Sequence, residues 1–162
     1  MFIGEYHHVV DEKGRLAIPM KFRKELRGGA VVTRGLDECL FVYTMAEWKK
    51  LAMKLSSLPF GQANSRGLSR LMLAGAMEVE IDKQGRVVLP EYLRRYAKLS
   101  KDVVVAGLYG RIEVWDTASW EAYRAKIEKG SNDIAEQMGA LGVWRSTYGC
   151  RTHSGPFTGD DR

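Results

Sequence analysis

One phrase occurs twice in this chain of 162 residues. Asp11-Glu12-Lys13-Gly14-Arg15-Leu16-Ala17-Ile18-Pro19 returns 71 residues later as Asp82-Lys83-Gln84-Gly85-Arg86-Val87-Val88-Leu89-Pro90. Self-similarity at one period marks a repeated structural unit. It constrains the fold more than any single residue does, because whatever surface the phrase builds is built twice. Residues 11–26 against 82–97 give five identities in sixteen: the Asp, Gly, Arg and Pro of the phrase, and Arg23 with Arg94. One extra residue then shifts the offset to 72. Residues 31–55 against 103–127 give eight identities in twenty-five, at Val31, Val32, Gly35, Leu36, Val42, Ala46, Trp48 and Lys54. The unit spans 5–55 and 77–127.

Each copy reads in the same order, β-β-α-β-β-α. Tyr6 to Val10 and Glu78 to Ile81 alternate as strands do. Asp-x-x-Gly then supplies turn chemistry, since Asp bonds its own backbone two residues on and Gly accepts positive φ. Arg-Leu-Ala-Ile and Arg-Val-Val-Leu read as the return strands of hairpins. Pro19 and Pro90 suit the first position of a helix. Phe22 with Leu26, and Leu93 with Ala97, share a helical face, and Gly28 is the expected helix stop. Ala30–Thr33 with Leu40–Tyr43, and Val103–Ala106 with Ile112–Trp115, read as second hairpins. An amphipathic helix closes each copy, carrying Trp48, Leu51 and Leu55 or Trp120, Tyr123 and Ile127. Between the copies, Ser56 to Gly61 is loop-like and Leu68 to Met77 is a candidate helix. Ile134 to Val143 extends a helical pattern, and residues 144–162 are expected to be a mobile tail.

Copies of about fifty residues are each marginal alone, so they should bury their apolar faces together or against another chain. No run approaches the ~18 apolar residues that span a bilayer. Met1-Phe2-Ile3-Gly4-Glu5 leads straight into a strand and not into a signal-peptide pattern, and a cytoplasmic location is expected. The net charge is +5. Residues 1–75 carry twelve Lys/Arg and seven Asp/Glu, so the excess sits in the first half. That bias favours an anionic partner.

The repeated turn gathers charge where it can reach outward. Lys13 and Arg15 flank Gly14; Lys83 and Arg86 flank Gly85. A guanidinium fork there can meet phosphate oxygens or guanine O6 and N7. Asp11 and Asp82 have a second role open to them, holding the Arg in one rotamer. The bland alternative is that Asp and Gly only shape the turn and Arg pairs locally. Arg23, Lys24, Arg94 and Arg95 could extend a phosphate-contacting surface, whereas Lys21 and Arg27 read as a solvated helical face. His7 and His8 are adjacent on a strand and point to opposite faces, so they cannot easily share a metal. Cys150 and His153 lack a second ligand pair. No phosphate-binding loop, nucleophile elbow or metalloprotease motif occurs. An enzyme is not expected, nor a metal, a cofactor or a small-molecule substrate. Trp48, Trp120, Tyr43 and Trp115 recur at matched positions, which favours packing over base stacking.

The doubled Asp-x-x-Gly-Arg-x-x-x-Pro, the opening Met-Phe-Ile-Gly-Glu-Tyr and the Glu-Val-Glu-Ile-Asp-Lys-Gln-Gly-Arg-Val before the second copy resemble the MraZ family over residues 1–143. That family consists of bacterial transcriptional regulators built from two SpoVT-AbrB domains. The resemblance implies an α+β fold in which the duplicated units form an interleaved swapped-hairpin β-barrel core with peripheral helices. Its domains would be 5–50 and 77–122, with a connecting loop and helix over 56–76 and a C-terminal helical segment over 123–143. It implies closed homo-oligomeric rings in the nucleoid-associated cytoplasm. It also implies binding to short tandem repeats of double-stranded DNA in the promoter of the chain's own division and cell-wall operon, with repression as the outcome. By position the DNA-contacting residues would be Asp11, Arg15, Asp82 and Arg86. Lys13 and Lys83 are added on chemistry alone. The competing expectation is an AbrB-class protein-interaction or antitoxin-like module.

Overall fold

The computed structural model describes residues 1–139 and 141–142. The tail over 144–162, with Cys150 and His153, lies outside the described residues, as does Val143. The elements are β1 (Phe2–Val9), β2 (Arg15–Ala17), α1 (Met20–Arg23), β3 (Ala30–Arg34), β4 (Leu40–Thr44), α2 (Met45–Ser56) and α3 (Ala63–Leu73). Then follow β5 (Met77–Val79), β6 (Arg86–Val88), α4 (Glu91–Tyr96), β7 (Asp102–Tyr109), β8 (Arg111–Asp116), α5 (Thr117–Lys129) and α6 (Ser131–Gly139). Each copy has the expected β-β-α-β-β-α order, and α3 is the helix of the connection. Two compact units divide the chain, one over Met1–Tyr123 and one from Arg124 onward. The second holds the end of α5 and all of α6.

The fold is α+β with an antiparallel six-stranded sheet, in the order β1-β7-β8-β4-β3-β5. The sheet is open, with β1 and β5 at its edges, so the expected barrel core is not formed. A separate ribbon pairs β2 with β6. Pairing crosses between the copies at four places. β1 lies along β7, β5 along β3, β4 along β8, and β2 along β6. The expected first hairpins are therefore absent. Beyond the Asp11 turn the return strand pairs back with its own arm only through a Val10–Leu16 bridge, and β2 finds its ladder in the other copy. A strand of three residues gains more by pairing where its apolar side chain is buried, and Leu16 and Val87 face each other in the core, almost fully buried.

The β3–β4 and β7–β8 hairpins form as expected. Their registers correct the sequence alignment by one residue. Val32 pairs with Val42, and Val105 with Val114, so Val32 corresponds to Val105 and not to Val104. The distinction matters because a one-residue slip turns every side chain to the other face.

One core lies on the ribbon side of the sheet. Leu16, Ile18, Phe22 and Leu26 meet their counterparts Val87, Leu89, Leu93 and Ala97 there, over the inward residues of β3, β4, β7 and β8. Pro19 and Pro90 stand at the N-caps of α1 and α4, which direct Phe22 and Leu93 into this core. Gly29, with φ +92°, ends the turn after α1, one residue beyond the expected Gly28. Phe22 is wedged edge-on against Phe2 and Tyr6, with both ring centroids at 5.2 Å. On the opposite face, Cys39, Phe41, Leu55, Met72, Val104 and Trp115 form a second cluster with Tyr43, Leu51, Leu73 and Trp120. The matched aromatics thus pack on the face away from the ribbon. The N-terminus of α2 is capped by Thr44, whose hydroxyl accepts from the Glu47 N–H. Asp116 accepts from the Ala118 N–H at the start of α5.

Candidate nucleic-acid interface

The two repeated turns adopt one geometry. Asp11 Oδ1 accepts from the backbone N–H of Lys13 and of Arg15, each at 2.9 Å. Asp82 Oδ1 accepts from Gln84 and Arg86 at the same 2.9 Å. The other carboxylate oxygen takes the arginine side chain: Arg15 Nε lies 2.6 Å from Asp11 Oδ2, and Arg86 Nε 2.9 Å from Asp82 Oδ2. Gly14 and Gly85 sit at φ +75° and +79°, a conformation that favours glycine. Each donates its N–H to its own Asp carbonyl at 2.9 Å. Both Asp carboxyls are held below the ordinary carboxylate range, chiefly by the arginine backbone N–H bond. The guanidinium adds to this through its side-chain bond and its charge.

The turns are tied back to back. The Ile18 N–H donates to the Gly85 carbonyl (2.9 Å), and the Leu89 N–H to the Gly14 carbonyl (2.8 Å). Arg15 pairs with Val88 and Arg86 with Ala17 on either side of the buried Leu16–Val87 pair. Side chains alternate across a strand, so Arg15 and Arg86 share the outward face of the ribbon. They are diagonal neighbours, whose Cα atoms lie roughly 7–8 Å apart in such a ladder. Their side chains are 31% and 27% exposed. Ion pairing with Asp does not retire them: at Arg15 the Asp11 bond uses Nε and leaves the terminal nitrogens for a ligand.

Arg23 and Arg94 complete the face, and each serves the other copy's turn. Arg23 Nε donates to its own Ile18 carbonyl (2.8 Å), and Arg94 Nε to Leu89 (3.0 Å). Because β2 and β6 are paired across the copies, these bonds carry each guanidinium over the opposite turn. A Cβ added at Gly14 would lie 3.0 Å from Arg94 Cζ, and one added at Gly85 would collide with the Arg23 guanidinium. Arg23 also lies near half-buried His8, which burial first, and then that positive charge, holds below the usual histidine value. Each turn is therefore composite: Asp11, Gly14 and Arg15 with Arg94, and Asp82, Gly85 and Arg86 with Arg23. The sequence placed these arginines on their own copy's edge. The signal that could have raised them was the Arg23/Arg94 identity at the same offset of 71. Lys13 and Lys83 are exposed beside the tips, as are Lys21 on α1, Lys24 and Arg27 in the turn after it, and Arg95 on α4. Arg95 is paired with Glu91 at 2.6 Å.

Four guanidiniums and two lysines gathered around one short ribbon suit a polyanion. Among the described residues no group of three or more His, Cys, Asp or Glu could hold a metal ion. No described helix is long and apolar enough to cross a membrane.

A family model described as "MraZ protein, putative antitoxin-like" matches the chain twice in succession, over residues 1–71 and 72–140. The chain belongs to the MraZ family. It is similar to proteins named Transcriptional regulator MraZ. The one from Acetivibrio thermocellus is 50% identical over 143 residues, covering 88% of this chain and 100% of the relative. The one from Moorella thermoacetica is 49% identical over 138 residues, covering 85% and 96%. The one from Halothermothrix orenii is 51% identical over 143 residues, covering 88% and 100%. These MraZ relatives carry the name of a regulator, not of an enzyme. The two matches to the MraZ model fall one on each copy of the Asp-x-x-x-Arg turn.

Proposed function

We propose that this chain is a sequence-specific DNA-binding transcriptional regulator that represses its own division and cell-wall operon. The observation that carries the proposal is the back-to-back ribbon, on which Arg15 and Arg86 share one solvent face, each braced by an aspartate. A braced arginine loses little side-chain freedom on binding, so its fork meets guanine O6 and N7 or a phosphate at low entropic cost. Arg23, Arg94, Lys13 and Lys83 add phosphate contacts, which set register and supply salt-dependent affinity. Asp11 and Asp82 position the arginines. The crossed pairing of β1, β2, β5 and β6 is consistent with two interleaved swapped-hairpin SpoVT-AbrB domains, over 5–50 and 77–122.

One ribbon is a small contact. A closed homo-oligomeric ring would present many ribbons at fixed spacing to tandem promoter repeats, and avidity would rise without new contact types. Such a particle would reside in the cytoplasm with the nucleoid. The test is fluorescence anisotropy with duplex DNA from upstream of the chain's own gene. Wild type is expected to bind with an affinity that falls steeply with salt, and Arg15→Ala to lose promoter preference with its mass unchanged. Equal binding by wild type and Arg15→Ala would refute the site. Retention of a protein partner with no promoter binding at low salt would favour the antitoxin-like alternative, which the family description names.

A further inference from the structure

The two copies differ most on the outer face of the sheet. In the first, the groove between α2 and β3 is filled by α3. Thr33 Oγ1 donates to the Met72 carbonyl at 2.6 Å, and Ser69 Oγ to the Leu55 carbonyl at 3.1 Å. Met72 and Leu73 join the apolar cluster of Phe41, Tyr43, Leu51 and Leu55. The strand registers locate the matching groove of the second copy between α5 and β7, where Ala106 stands for Thr33 and Trp115 for Tyr43, and the sequence offset of 72 sets Tyr123 against Leu51. Among the described residues of 1–123 no helix fills it. It is a concavity of about 500 Å³ with apolar walls from Ala106, Leu108, Trp115 and Trp120, and with Glu5, Asp37, Arg111 and Glu113 also on its lining. Leu108 and Tyr123 are more than a third exposed at its rim. The indole N–H of Trp120 is buried with no hydrogen-bond partner.

We propose that this groove seats helix α6 of a second copy, an αβ-groove contact that α3 already makes in the first half. Three observations select the occupant. α6 follows α5 as α3 follows α2. It carries Ile134 and Met138 one turn apart, with Leu141 beyond them, all exposed in the single chain. The link differs: residues 57–62 join α2 to α3, whereas Gly130 alone separates α5 from α6. A one-residue link is shorter than the two to five residues that let consecutive helices lie antiparallel. An apolar helical stripe laid on the apolar walls of a groove is a common recognition mode. A helix of one copy entering a groove of the next is a heterologous contact, which closes into a ring when the rotation permits. The inference deepens the assembly part of the proposed function and is independent of its DNA part.

The test uses the full chain with Cys150→Ser. One preparation carries Tyr123→Cys and the other Met138→Cys; they are mixed and oxidised. A disulfide-linked two-chain species is expected. In parallel, Ile134→Asp with Met138→Asp is expected to lower the mass by light scattering at least twofold, with circular dichroism and melting kept as folding controls. Absence of the mixed cross-link, or a mass unchanged by the double variant, overturns the contact. In a chain carrying both Tyr123→Cys and Met138→Cys, a cross-link confined within one chain overturns it too. A wild-type chain that is itself monomeric overturns the ring as well. Loss of promoter binding in Arg15→Ala at full mass reports only on the DNA site, so the two readings fail separately.

Discussion

At the ribbon, the copy beginning at Asp11 and the copy beginning at Asp82 match: Asp11 and Asp82 each accept two backbone N–H bonds at 2.9 Å, and each braces an arginine. Behind the ribbon they part. α3 covers the first copy's outer groove, and the second copy's groove has no cover from residues 1–123. The hairpins part too, since Gly110 alone separates β7 from β8 while β3 and β4 are joined by a longer turn. The similarity sits where local turn chemistry and cross-copy pairing act together. The divergence sits where only packing against a neighbouring element was at stake.

The largest expected effect tests the shared core. Phe22 and Leu93 are counterparts, but only Phe22 has Phe2 and Tyr6 edge-on to its ring. Phe22→Ala is expected to cost about 3–5 kcal/mol and Leu93→Ala about 2–5 kcal/mol, with Phe22→Ala the larger in denaturant unfolding. The reverse order would mean that the edge contacts add nothing. Next come the tips. Arg15→Ala and Arg86→Ala are each expected to weaken promoter binding by about 1–3 kcal/mol, roughly 5- to 150-fold. Similar losses would show both tips at work, and a loss confined to one would break the equivalence.

Smaller still is the glycine pair. Gly14→Ala and Gly85→Ala each force a side chain into left-handed backbone, at about 1–2 kcal/mol of stability. Gly85→Ala must also push the Arg23 guanidinium aside, whereas Gly14→Ala only crowds Arg94. Greater loss of DNA affinity in Gly85→Ala at equal melting temperature would establish the crossed arginine as a contact; equal affinities would argue against it. The smallest effect is acid sensitivity. Asp11 and Asp82 have lowered folded values, so the stability they contribute is present above the unfolded value, about 4, and is lost as pH falls through the folded values. As pH falls below 4 and through the folded values, melts of wild type and of the Asp11→Asn, Asp82→Asn double variant are expected to converge. A gap that persists there would assign the effect to something other than carboxylate charge.

Much of this was legible beforehand. Asp11 with Arg15, and Asp82 with Arg86, could be read from composition and spacing, because an Asp turn with glycine is a local device closed within five residues. The order of elements was legible for the same reason. The partners of β1 and β2 were not. An alternating strand states which face is apolar and says nothing about which strand it joins. Nor was the destination of Arg23 and Arg94 legible, since it follows from the β2–β6 ladder. The Val31–Val32 match to Val103–Val104 misled because two valines in a row look alike at either register, and only the pairing with Val42 and Val114 separates them.

By itself the amino-acid sequence determined the duplicated turn, the braced arginine at each tip, the helices and second hairpins of each copy, and family membership. These depend on residues near one another along the chain. The tertiary structure decided that the two copies exchange strands, that the tips stand back to back with a guanidinium borrowed from the other half, and that one outer groove is filled by α3. Those outcomes depend on which apolar faces meet at long range, and burial free energy is non-directional: it rewards apolar contact without specifying the partner in the local pattern.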